Sequence, residues 1–137
     1  ELLLDSVFER VDQAIAMSTI YCANRIKVKA IAALTETGAT TKWMSRIRTD
    51  IPIFAMSGLV ETLRKTSLYR GVHPIAFDLR NVEYAEVTAG ILKQLRTRGV
   101  ITDGDKVIIT KGDLLGRVGG TNGMKIVTAG EYVEHVA

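Results

Sequence analysis

Aromatic residues make up only 6% of this chain, with a single tryptophan, Trp43, and a single cysteine, Cys22. One cysteine rules out a disulfide within the chain and suits a reducing compartment, so a cytoplasmic protein is expected. Few aromatics, and lysines and arginines interleaved with acids at a net charge of only +3, argue against a nucleic-acid face. Such a face needs a denser basic stripe with stacking partners. No apolar run approaches the roughly 18 residues of a membrane span, so no membrane partner is expected. The opening Glu-Leu-Leu-Leu-Asp has neither the basic region nor the cleavage site of a signal peptide. It also lacks an initiator methionine, which leads us to expect a fragment or a processed product. There is no internal repeat, linker or low-complexity segment.

What is present suits one globular domain over residues 1–137. Hydrophobic residues are 47% and charged residues 24% of the chain, enough to bury a core. Leu4, Val7, Phe8, Val11, Ile15, Ser18 and Cys22 fall at helical spacing, leaving Glu9, Arg10, Asp12 and Gln13 for solvent. Cys22 then reads as a small core residue, and Asn24-Arg25 as the end of the helix. Ala30 to Leu34 is a buried strand. A second helix runs from Thr41 to Arg48, with Trp43 and Ile47 on one face as packing residues. Pro52 opens a strand through Met56, since a first position needs no N–H in the ladder.

Ser57 is a candidate cap for a helix from Leu59 to Ser67, and His73 to Phe77 is a third strand. His73 precedes Pro74, a context of extended backbone, and has no acid or nucleophile to work with. A fourth helix begins at Asp78 or Asn81 and runs to Arg98, with Tyr84, Val87, Ile91 and Leu95 as its apolar stripe. Gly99 stops it. The last third changes character: strand Lys106 to Thr110, a loop over residues 111–123 with five glycines, and strand Met124 to Thr128. No helix fits between these two strands, so they pair antiparallel, whereas each earlier pair encloses a helix and is parallel. The expected fold is α/β: a three-layer α/β/α arrangement on a mixed five-stranded sheet, mostly parallel with one antiparallel edge strand.

The stretch Thr35-Glu36-Thr37-Gly38-Ala39-Thr40-Thr41 lies between the first strand and the second helix. Hydroxyls and unpaired N–H groups there suit a phosphate, with Thr40 or Thr41 as the cap. An ordinary strand–helix turn that binds nothing has the same composition, and no Gly-Lys-Ser/Thr follows at P-loop spacing. The glycine loop leaves the fourth strand at the same end, where ligands of such sheets sit. Two phosphate-friendly segments at one rim are more specific than either alone. Arg117, in mid-loop, is either an anion ligand or a solvated charge.

At these residues the chain resembles the C-terminal domain of pyruvate kinases. Ala33-Leu34-Thr35-Glu36-Thr37-Gly38 is close to that family's T-x-S-G-[RK]-[ST] effector loop. Ser45-Arg46-Ile47-Arg48, Pro52-Ile53-Phe54-Ala55, Leu68-Tyr69-Arg70-Gly71-Val72-x-Pro74, Gly104-Asp105-Lys106-Val107 and Gly119-Gly120-Thr121-Asn122 follow in order. The match runs from about Val11 to Val127. Leu114 to Asn122 looks more like the bacterial enzymes that respond to sugar monophosphates or AMP than those using fructose 1,6-bisphosphate.

The resemblance implies an allosteric and oligomerisation domain, packed against its twin in a homotetramer. It also implies a separate (β/α)₈ catalytic barrel, absent here, that holds phosphoenolpyruvate, ADP, Mg²⁺ and K⁺. No cofactor is expected in this domain and no kinase activity from this chain alone. By position, Thr35, Thr37, Gly38, Thr40 and Thr41 match the loop around an effector phosphate. Gly119, Gly120, Thr121 and Asn122 match the end of the loop that closes over the sugar. Two positions depart: Ala39 replaces the usual Arg or Lys, and Glu36 stands where some bisphosphate-regulated members have Lys. A carboxylate beside a second phosphate repels it by roughly 1 kcal/mol, so both departures argue against a bisphosphate and leave either a monophosphate or a domain that has lost effector binding.

Two rival readings remain. One is a purely structural tetramer-forming domain with vestigial loops. The other is a free-standing α/β phosphotransferase or phosphatase, which needs a positioned base or a carboxylate pair for Mg²⁺. Asp103, Asp105 and Asp113 flank one strand at opposite ends and are poorly placed to share a metal.

Overall fold

The computed structural model describes residues 10–79, 82–112 and 120–131. In chain order the elements are α1 (Val11–Ile26), β1 (Ala30–Leu34), α2 (Ala39–Ser45), β2 (Ile53–Ser57), α3 (Val60–Thr66), β3 (Val72–Ala76), a 3₁₀ turn (Tyr84–Glu86), α4 (Val87–Thr97), β4 (Lys106–Lys111) and β5 (Gly123–Thr128). The strands form one sheet in the order β3-β2-β1-β4-β5. β1 pairs in parallel with both β2 and β4, β2 in parallel with β3, and β4 antiparallel with β5. This is the mixed sheet expected from the enclosed helices and the helix-free last connection.

Strands buried on both faces read as unbroken apolar runs, and β1 (Ala-Ile-Ala-Ala-Leu) is buried at every position. Alternate side chains serve two cores. Ala30, Ala32, Leu34, Phe54, Met56, Val107 and Ile109 face α4, whose Val87, Ile91, Leu92 and Leu95 close over them. Ile31, Ala33, Ile53, Ala55 and Ile108 face the opposite way, against Ala16, Ile20 and Ala23 of α1 and Met44 of α2. α3 packs on β2 and β3. Trp43 and Ile47 share the α1–α2 core, as their spacing predicts.

The first helix differs most from expectation. Its buried face is Asp12, Ala16, Met17, Thr19, Ile20 and Ala23, while Val11 is 61% exposed and Ser18 faces solvent. The sheet takes the stripe carrying two alanines, which let the helix approach closely. Asp12, expected in solvent, is fully buried, and Arg10 holds its carboxylate with two bonds of 3.0 and 2.9 Å. Cys22 is half-buried at the flank of the core. The helix runs on to Ile26, ending at Lys27 in the left-handed conformation. Leu4, Val7 and Phe8 lie outside the described residues.

α4 begins at Val87, well after Asp78; Asn81 lies outside the described residues. The intervening chain is spent covering the core: Phe77 is buried, and Leu79 and Val82 pack against the α4 side. Ser57 is the last residue of β2 rather than the cap residue of α3. Its hydroxyl still accepts the Leu59 N–H at 3.1 Å, supporting the entry to the helix.

Candidate functional site

The strand order runs outward from β1 through β2 to β3 in one direction, and from β4 to β5 in the other. Adjacent parallel strands whose connections leave in opposite directions open a crevice at their carboxyl ends. Here those strands are β1 and β4, in register from Ala30 opposite Val107 to Ala33 opposite Thr110. The segments that leave them are residues 35–41 and the glycine loop.

Thr35 continues the ladder, its N–H donating to the Met56 carbonyl at 3.0 Å. The chain then turns through Gly38, whose φ of +84° is a conformation that glycine adopts without strain. Gly38, not a threonine, occupies the cap position of α2, and no side chain caps the helix. The hydroxyls of Thr35 and Thr37 hold the turn instead, accepting the N–H groups of Gly38 at 2.8 Å and Ala39 at 3.2 Å. Thr40 and Thr41 lie inside the helix and are buried. Thr41 donates its hydroxyl back to the Gly38 carbonyl at 2.8 Å.

α3 supports the turn from behind. The Thr62 hydroxyl donates to the Glu36 carbonyl, and the Thr66 methyl lies 2.8 Å from where a Cβ on Gly38 would sit. Thr35, Glu36, Thr37 and Ala39 remain half-buried and form the turn's outer surface.

The second segment meets the first through one bond. The buried Thr40 hydroxyl donates to the Thr121 hydroxyl at 2.7 Å, across 81 positions of sequence. Thr121 is held where the glycine loop closes: the Asn122 N–H donates to the Lys111 carbonyl at 3.2 Å. A Cβ on Gly112 would fall 2.1 Å from the Gly120 carbonyl oxygen, so the two backbones are in direct contact. Asn122 is exposed and Gly120 half-buried. Arg117, Gly119 and Asp113 lie outside the described residues. Thus Thr35, Thr37, Gly38, Thr40, Thr41, Gly120, Thr121 and Asn122 come together at one end of the sheet.

Sequence reading passed over the residues that support this crevice. Thr62 and Thr66 of α3 carry no motif. The contact of Gly112 with Gly120 was foreshadowed only by the loop's glycine content. Thr110, at the carboxyl end of β4, holds the one buried side-chain oxygen without a hydrogen-bond partner among the described residues. The crevice offers threonine hydroxyls and backbone amides, suited to an oxyanion rather than to a metal. No group of three or more His, Cys, Asp or Glu side chains that could hold a metal ion occurs among the described residues.

No helix among the described residues is long and apolar enough to cross a membrane. Comparison with known proteins bears on most of the chain. The family model for the pyruvate kinase alpha/beta domain matches residues 13–127. The chain is 45% identical over 121 residues to a pyruvate kinase of Buchnera aphidicola, covering 88% of this chain and 25% of that protein. It is 44% identical over 126 residues to pyruvate kinase II of Salmonella typhimurium, covering 91% of this chain and 26% of that protein. The crystal structure of a pyruvate kinase from Cryptosporidium parvum superposes with a TM-score of 0.75 at 29% identity, covering 90% of this chain and 23% of that one. The chain thus spans about a quarter of the length of these relatives. Over that quarter both sequence and fold agree, and the chain belongs to the pyruvate kinase alpha/beta domain family.

Proposed function

We propose that this chain is the regulatory and assembly domain of a pyruvate kinase, binding a phosphorylated metabolite in the crevice between β1 and β4. In this reading the transfer between phosphoenolpyruvate and ADP, with its Mg²⁺ and K⁺, belongs to a separate catalytic barrel, and the chain has no kinase activity by itself. The observation that carries the reading is the 2.7 Å bond from Thr40 to Thr121, which joins the two phosphate-friendly segments at the switch point of the sheet. Glu36 and Ala39 on the outer surface of the turn favour one phosphate over two, hence a sugar monophosphate or AMP. The effector acts by population shift: it moves the enzyme only as far as it prefers one arrangement of the crevice over another. Calorimetry and amide-shift titration with ribose 5-phosphate, glucose 6-phosphate, AMP and fructose 1,6-bisphosphate test this. Saturable binding of a monophosphate with shifts at Thr37 and Thr121 is expected, and no heat and no shift with any of the four would refute it.

One observation favours assembly as a role in its own right. The hydroxyls of Thr35, Thr37, Thr40 and Thr41 already bond within the protein. Meanwhile α1 presents a second apolar stripe outward, with Val11 61% and Ile26 44% exposed, and Ile126 of the edge strand β5 is 46% exposed. A strand edge without a partner among the described residues, beside an apolar helix face, suits a second copy of the domain, as in the homotetramer expected for the parent enzyme. Sedimentation of the chain without effector separates the two roles. Self-association without effector binding leaves assembly alone.

A further inference from the structure

At the opposite end of the sheet from the crevice, where β1 and β4 begin, lies a cavity of about 300 Å³ lined by Ile26, Lys27, Lys29, Gly104, Asp105 and Lys106. The Lys29 N–H donates to the Lys106 carbonyl at 2.8 Å, which fixes these two lysines side by side on adjacent strand ends. Lys27 joins them from the C-terminus of α1. All three lysines are exposed, and none is ion-paired among the described residues. Of the nearby acids, Asp105 lines the cavity as well, and Asp103 is ion-paired. Asp105 accepts the Thr102 N–H at 2.8 Å and its hydroxyl at 3.4 Å, and Asp103 pairs with Arg96 at 2.7 Å.

Lys27 adds a second, independent observation. Among the described residues every other positive φ belongs to a glycine: Gly38, Gly71, Gly99, Gly104 and Gly130. Lys27 alone adopts φ +54° with a side chain, at a helix-terminal position where glycine is the unstrained choice. Local strain kept at a cationic side chain that lines a cavity points to a use for that side chain.

We propose that Lys27, Lys29 and Lys106 form a binding site for a compact polyanion, a pyrophosphate or the polyphosphate group of a nucleotide, separate from the crevice between β1 and β4. Three lysines against the one carboxylate of Asp105 leave the lining of this concavity with a net positive charge of two, which suits an anion carrying more than one negative charge. The volume lies at the lower end of small-molecule sites rather than being that of a peptide groove.

The test is titration of the 137-residue chain with inorganic pyrophosphate at low salt, followed by amide shifts and calorimetry, and then with ATP and orthophosphate. Saturable binding is expected, with shifts confined to residues 26–30 and 104–106, orthophosphate weaker than pyrophosphate, and marked weakening as salt shortens the screening length. Each of K29Q and K106Q should weaken binding by about fivefold, whereas R64Q, which removes an exposed charge on α3, should not. K27G separates function from folding: it relieves the backbone strain and should raise Tm by about 3 °C while weakening pyrophosphate binding. ATP binding with the same shifts identifies a nucleotide's polyphosphate as a ligand, and pyrophosphate binding alone leaves the free anion. The proposal is overturned if pyrophosphate gives no saturable response or shifts only residues 35–41. It is overturned equally if K27G raises Tm with binding unchanged, or if R64Q weakens binding as much as K29Q does.

Discussion

Replacing Thr40 by valine keeps the shape of the side chain and removes its hydrogen bond to the hydroxyl of Thr121, a residue 6% exposed. Thr121→Val does the reverse, leaving the hydroxyl of Thr40, a residue 1% exposed, without its acceptor. Each single change loses one bond and strands a buried polar group, a cost of about 1–3 kcal/mol. The double change removes both hydroxyls together, so nothing polar is stranded, and its cost should fall well below the sum of the two. A coupling of about 1 kcal/mol is expected, well above the roughly 0.3–0.5 kcal/mol within which independent sites add. Urea unfolding of the four proteins measures it, with m-values checked for constancy so that midpoints report native-state stability. The partners are 81 residues apart, so the coupling also reports that the glycine loop closes onto α2 in solution. Additive costs for the two valines would refute this account of the crevice.

Gly38→Ala places a Cβ at φ +84° and 2.8 Å from the Thr66 methyl, so a loss of about 2 kcal/mol in urea unfolding is expected, with Thr66→Ser recovering part of it. Gly112→Ala puts a Cβ 2.1 Å from a backbone oxygen that cannot move alone. The closure at Lys111 and Asn122 should open, read as faster amide exchange at Asn122 with the α4 side of the sheet still protected. Ile126→Lys, on a side chain 46% exposed, should leave stability within about 0.5 kcal/mol of the parent chain while weakening self-association in sedimentation. Unchanged association would remove β5 from the proposed assembly face.

The sheet was legible because its strands carry little ambiguity. An apolar run such as Ala30 to Leu34 is too short for a helix and too apolar for one exposed face, and the missing helix before Met124 forced the antiparallel turn. Helix faces were less legible where two stripes compete. In α1 the stripe Val11, Ile15, Ser18 and Cys22 is more apolar by residue type than Asp12, Ala16, Ile20 and Ala23. What decides is how closely the helix approaches the sheet, and small alanines win although they bring a carboxylate inside with them. Arg10 makes that burial tolerable, and a fork of two bonds to Asp12 leaves no trace in hydrophobic periodicity.

The crevice divides in the same way. That residues 35–41 and Thr121 share one end of the sheet follows from two parallel strands and their order, which the sequence pattern carries. What each hydroxyl does depends on distances of a few tenths of an ångström, which it does not carry. Thr40 and Thr41 read as caps because threonine is common there, yet the chain turns two residues before Thr40, at Gly38, where the left-handed backbone needs glycine. That shift carries both threonines into the helix, and so decides which hydroxyls face inward. Thr40 is thereby aimed at Thr121 and Thr41 back at the turn, leaving Thr35, Glu36, Thr37 and Ala39 as the surface any ligand of this crevice would meet first.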